Sequence, residues 1–107
     1  MRTHRQESLT AFLDHFIVYY DSQVDLVYKT NRDRSIAYAV LELFKNRENI
    51  ENYNKKALYI MIREMADVKK QYITKVVNQM RKIYNHMWEE YNITGKLPSN
   101  EQNSKYF

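Results

Sequence analysis

Lys69, Lys70, Gln71, Thr74, Lys75 and Asn78 fall within ten consecutive residues that contain no acid. Placed on a helix, they form one outward, polar and basic face. Gln and Asn can each make paired hydrogen bonds to adenine, Lys can bond guanine, and Thr and the amides of a helix start reach phosphates. A helix roughly 10 Å across fits the major groove of B-DNA. The chemistry these residues offer is recognition of a nucleic acid.

The surrounding charge fits that chemistry. Residues 54–84 hold Lys55, Lys56, Arg63, Lys69, Lys70, Lys75, Arg81 and Lys82 against Glu64 and Asp67, eight basic groups to two acidic, or +6. Residues 1–53 carry seven basic and eight acidic groups and residues 85–107 two and three, so each flank stands at −1 and the whole chain at +4. A local positive field of this kind suits a phosphate backbone, although a solvated basic helix face carries the same charge. On charge alone, Lys55, Lys56, Arg81 and Lys82 are candidates for backbone contacts beside the central face.

The elements that must position these residues are helices. The chain of 107 residues has one glycine and one proline, Gly95 and Pro98, so residues 1–94 lack the two strongest punctuators of helix and sheet. An all-β chain would need many more turns. The length suits one domain, and an apolar content of 44% with ten tyrosines, four phenylalanines and one tryptophan can fill a core. Cysteine is absent, which removes disulfides, thiolate zinc sites and a cysteine nucleophile together. No run approaches the length of a membrane helix and no signal-peptide pattern opens the sequence, so a cytoplasmic protein without membrane attachment is expected.

Apolar spacing places four helices. The first spans about Ser8 to Tyr28, with a stripe through Leu9, Phe12, Leu13, Phe16, Ile17, Tyr20, Val24 and Val27 that serves the core or a dimer contact. Thr30 to Asp33 forms a capping box for the second, whose apolar face comprises Ile36, Ala37, Val40, Leu41, Leu43 and Phe44. A polar connection over residues 45–54 follows, with Ile50 as its anchor. Helix three covers Lys55 to Met65; Ala57, Leu58, Ile60, Met61, Ile62 and Met65 make it apolar on most sides and predict a central place for it. Helix four runs from Lys70 to about Tyr91, turning Ile73, Val76, Val77, Met80, Ile83, Met87, Trp88 and Tyr91 inward. The expected unit is a single all-α domain of four helices over residues 1–95, with a flexible tail over residues 96–107.

The segment from Ile62 to Gln79 resembles the helix-turn-helix of the lac-repressor family. Val68 stands where that family has a hydrophobic residue in the turn, and Gln71 where it has a Gln near the second helix start. Ile73, Thr74, Lys75 and Val76 stand where it has a Val-Ser-Arg-Val-like core, and Val77, Asn78 and Gln79 follow. The resemblance implies a DNA-binding helix-turn-helix over residues 58–79 with Lys70, Gln71 and Lys75 reading bases. Two positions depart from the pattern: Arg63 stands where the family has a small residue, and Asp67 where it has glycine. Asp tolerates left-handed backbone better than most residues. The stretch from Asn54 to Tyr84 also resembles region 4 of bacterial sigma factors and small phage transcription factors, which implies RNA polymerase as a partner.

Other chemistries have thinner support. Arg81 and His86 resemble the Arg-x4-His element of the HEPN ribonucleases, but residues five apart do not share one helix face well. His4 and His15 read as surface residues, no His or carboxylate cluster has metal-site spacing, and Asp14 beside His15 lacks a nucleophile. Asn92 to Thr94 fits a glycosylation pattern that has no use in a cytoplasmic protein. Helix one, or Met80, Met87 and Trp88, would serve a purely protein-binding adaptor. The sequence therefore predicts a transcription regulator that binds double-stranded DNA, without catalysis or cofactor. A monomer this small covers few base pairs, so a homodimer or a complex with RNA polymerase is expected. Richness in Asn, Lys, Tyr and Ile resembles AT-rich genomes, common among phages, which would place the protein in a host cytoplasm.

Overall fold

The structure, a computed structural model, describes residues 4–50, 54–96 and 106–107, with side chains from residue 9 onward. Four α-helices make the fold: α1 (His4–Val27), α2 (Asn31–Lys45), α3 (Lys55–Ala66) and α4 (Lys70–Thr94), with a short 3-10 turn at Arg47–Asn49. No strand occurs among the described residues. The all-α expectation holds, and each helix end falls within a few residues of its expected position.

Local chemistry explains the boundaries. Thr30 sits in extended backbone before α2, and its hydroxyl accepts the Asp33 amide at 3.1 Å, half of the anticipated capping box. Asn54 does the same for α3, its side-chain oxygen accepting the Ala57 amide at 2.8 Å. Gly95 ends α4 at φ +72°, donating its amide to the Tyr91 carbonyl; the chain's single glycine stands at a left-handed position that suits it.

Helix α2 is the hub, packing against α1, α3 and α4. Ile36, Ala37, Ala39, Val40, Leu41 and Leu43 are all buried, and the two alanines let neighbouring helices approach closely. Helix α1 meets α4 through rings: Phe12 stands edge-on to Tyr84 and Trp88, centroids 5.3 and 5.0 Å away, and Phe16 edge-on to Tyr84 at 5.2 Å. The α1 stripe is thus used by the chain's own core at Phe12, Phe16, Ile17, Tyr20 and Val24, while Leu9 stays exposed.

One expectation is corrected. Helix α3 is peripheral and not central: Ile62 is its one buried residue, and Ile60 and Met65 are about half exposed. Its apolar residues cover more of the helix circumference than α2 and α4 can bury, so two are left facing solvent. The tail expected to be flexible lies, over residues 97–105, outside the described residues, but Tyr106 and Phe107 pack on α1. Tyr106 stands edge-on to Tyr19, Phe107 lies against Tyr20, and the Tyr106 hydroxyl donates to Glu90 at 2.7 Å. This packing helps bury Tyr19, which lies off the sequence stripe yet is fully inaccessible.

Candidate nucleic-acid interface

Three residues, Asp67 to Lys69, join α3 to α4. Asp67 is the one non-glycine residue with positive φ among those described, at φ 48° and ψ 55°, and its amide donates to the Arg63 carbonyl at 2.8 Å. The backbone reverses sharply where the family pattern has glycine, and Asp accommodates that geometry at modest cost. Arg63 is exposed, so its bulk does not enter the helix pair. Val68 packs against the core from within the turn, and Ile73 and Val76 are buried beneath it. Burying side chains of this size contributes roughly 1.5–3 kcal/mol each, enough to fix which face of α4 points outward.

That outward face is continuous. Gln71, Lys75, Asn78 and Lys82 are all exposed and follow i, i+4, i+7, i+11 spacing, a stripe about 16 Å long at 1.5 Å per residue. Lys69 and Lys70 lead into it and Arg81 flanks it, all exposed, and no acid occurs between Asp67 and Glu89. Lys55 and Lys56 are exposed at the start of α3.

Thr74 departs from the expectation of an outward, phosphate-reaching residue. It is half-buried, and its hydroxyl lies 3.1 Å from the Tyr59 hydroxyl on α3. Its place on α4 falls over the α3 flank, where its hydroxyl finds a partner. Tyr59 also draws two lysines to its ring, Lys70 at 5.7 Å and Lys55 at 6.0 Å from the centroid. Sequence reading missed this tyrosine, which brings the starts of α3 and α4 together; aromatics at helical spacing look like core. Arg32, from the start of α2, lies 3.8 Å over the Tyr72 ring and ties that helix to the first turn of α4.

The electrostatics divide the molecule. The four ion pairs among the described residues are Arg32–Asp33, Arg34–Asp25, Lys45–Asp21 and Arg47–Asp14, all within α1, α2 and the turn after it. None involves Lys55, Lys56, Arg63, Lys69, Lys70, Lys75, Arg81 or Lys82. Helix α4 also begins without a side-chain cap, Lys69 holding the cap position, and neither α3 nor α4 has an acid in its first turn. Free amides and lysines therefore share one end of α4, an arrangement favourable to an anion and unfavourable to the isolated helix.

Arg81 and His86 are both exposed on α4 but about 140° apart around it, and the His86 ring meets Tyr106 edge-on at 5.9 Å. They do not converge on a common point. No helix among the described residues is long and apolar enough to cross a membrane.

The fold and this surface define an all-α domain with a tight helix pair whose cations have no ionic partner among the described residues. Comparison with known proteins adds no relative: no family model, curated protein or solved structure matches the chain.

Proposed function

We propose that the protein binds double-stranded DNA and regulates transcription, laying the first turns of α4 in the major groove. Gln71, Lys75 and Asn78, with Lys70 beside them, read base edges; Lys55, Lys56, Arg81 and Lys82 grip the flanking phosphates. The observation that carries this reading is the segregation of charge. Arg32, Arg34 and Arg47 of the α1–α2 half are matched to acids, whereas the eight cations of residues 54–84 have no ionic partner among the described residues. The left-handed Asp67 turn and the buried Ile73 and Val76 support it, because they hold the stripe outward on a rigid element. The lysine-led, uncapped start of α4 supports it too, since a phosphate would satisfy what the fold leaves open.

Fluorescence anisotropy on duplex DNA across a salt series tests the proposal. Binding should weaken steeply with salt, and Lys70→Ala/Lys75→Ala should lower both affinity and the salt slope, by about one slope unit for each phosphate no longer neutralised, with folding intact by circular dichroism. Absence of binding at low salt would sink it.

Half-exposed Ile60 and Met65 on α3 favour a second reading, an adaptor that docks this helix on a protein such as RNA polymerase. A homodimer on a paired site serves the main reading equally, since one copy spans few base pairs.

A further inference from the structure

A 440 Å³ cavity opens among the four helices, within the range of about 300–1,000 Å³ typical of small-molecule sites. Phe16, Leu43, Ile62 and Met80 represent its wall, one from each helix. Apart from the Tyr59 and Tyr84 hydroxyls, its only polar side chains among the described residues are those of Lys55 and Arg81. Both are exposed, so they stand at the mouth, and neither has an ionic partner among the described residues. A cleft with a cationic rim and an apolar interior has a definite chemical complement.

We propose that this cavity binds a free amphipathic carboxylate, an unbranched alkyl chain seated among the apolar side chains with its head group between Lys55 and Arg81. The two halves of the site select in different ways. The wall rewards any alkyl chain by burying it, at about 0.8 kcal/mol per methylene. The rim rewards a negative head and penalises a positive one. A short carboxylate without a chain gains too little to bind, and an alkyl cation of the same length meets Lys55 and Arg81 at the mouth. Binding is read on the protein alone, so this proposal stands or falls apart from DNA recognition.

The test is isothermal titration calorimetry of the whole chain with sodium decanoate below its micelle concentration, beside decyltrimethylammonium and sodium acetate. Decanoate is expected to bind one to one and to raise the melting temperature, as a ligand of the folded state must. Decyltrimethylammonium should bind at least about tenfold more weakly, and acetate should not bind. Lys55→Ala/Arg81→Ala alters only exposed side chains and should weaken decanoate about tenfold or more while leaving the fold intact. Leu58→Trp, which places a larger ring in the wall, should abolish binding. Equal binding of the two alkyl probes, unchanged affinity in the rim variant, or no decanoate binding at millimolar concentration would each overturn the proposal. If Leu58→Trp fails to fold, the rim variant and the probe comparison still decide.

Discussion

Two halves of this small domain treat charge in opposite ways. In α1, α2 and the turn after it, cations meet acids: Arg47 reaches Asp14 at 2.7 Å, Lys45 reaches Asp21 at 3.6 Å, and Arg34 spans Asp25 and two backbone carbonyls. The start of α2 follows the rules for a helix, with a hydroxyl cap and an acid in its first turn. In α3 and α4 lysines replace the first-turn acids, α4 has no side-chain cap, and the cations face solvent without ionic partners among the described residues. Lysines at a helix start oppose the helix dipole by about 0.3–1 kcal/mol each. Ion pairing throughout one half, against cations without ionic partners among the described residues and an uncapped α4 in the other, fits a second half shaped by something besides folding.

The largest effect separating the halves should come from alkali, which attacks the buried aromatic hydroxyls gathered around α1. Burial pushes the Tyr20 hydroxyl well above the ordinary tyrosine range and raises that of Tyr28; the hydrogen bond between them adds to the shift of Tyr20 and offsets part of that of Tyr28. Burial raises Tyr19 and Tyr84 as well. Because the folded state holds these protons more tightly than the unfolded chain, their contribution to stability is fully present below about pH 10. It is lost as pH climbs from there toward the raised folded values. The protein should therefore unfold cooperatively above about pH 10, with the buried tyrosines ionising only as helicity disappears, followed by absorbance near 295 nm beside circular dichroism. Tyr20→Phe/Tyr28→Phe removes both partners of the buried pair, costs little at neutral pH, and should move the alkaline midpoint upward. Smooth, non-cooperative tyrosine titration with helicity retained would contradict this account of the α1 core.

A smaller effect, of opposite sign for folding and binding, should follow from repairing α4. Lys69→Asp supplies the missing cap acceptor and a negative charge at the helix start, and should stabilise the fold by about 1 kcal/mol in urea denaturation. The same change removes one cation and adds an acid beside Lys70, so DNA affinity should fall. Gain in one property with loss in the other is the signature of a site held against stability. If both rise, the bare start of α4 has no role in anion recognition.

Much of this was legible in the sequence, for particular reasons. Helix α4 was readable because Ile73, Val76, Met80, Ile83 and Met87 keep strict spacing, and the same spacing determined which side Lys75 and Asn78 would take. The centre of the fold was not. Periodicity reports how wide an apolar face is but not which helix sits in the middle, and α3 looked broader than α2. Ala37 and Ala39 made the difference, since small side chains carry little hydropathy yet permit the close approach that puts α2 at the hub. Tyr19 was passed over and Thr74 turned the wrong way for a related reason: each is placed by a partner distant in sequence, Tyr106 and Tyr59 respectively, which no local pattern reveals.

The smallest effect tests the claim that paired cations serve only the fold. Asp14 and Arg47 lie 33 residues apart in sequence and join α1 to the turn after α2. Arg47 also donates to the Phe44 carbonyl at 2.7 Å. Asp14 is largely exposed and Arg47 partly so, with side-chain accessibilities of 59% and 21%. Water screens such a pair, so a double-mutant cycle with Asp14→Ala and Arg47→Ala should give a coupling of about 0.2–1 kcal/mol. Arg47→Ala alone should cost somewhat more, because the Phe44 carbonyl is deprived of its donor as well. DNA affinity and its salt slope should not change in any member of the cycle, whereas Lys82→Ala, which removes an unpaired cation, should lower both without altering stability. Equal reductions of affinity from Arg47→Ala and Lys82→Ala would erase the distinction between the halves, since binding would then follow net charge and not the surface that α3 and α4 present.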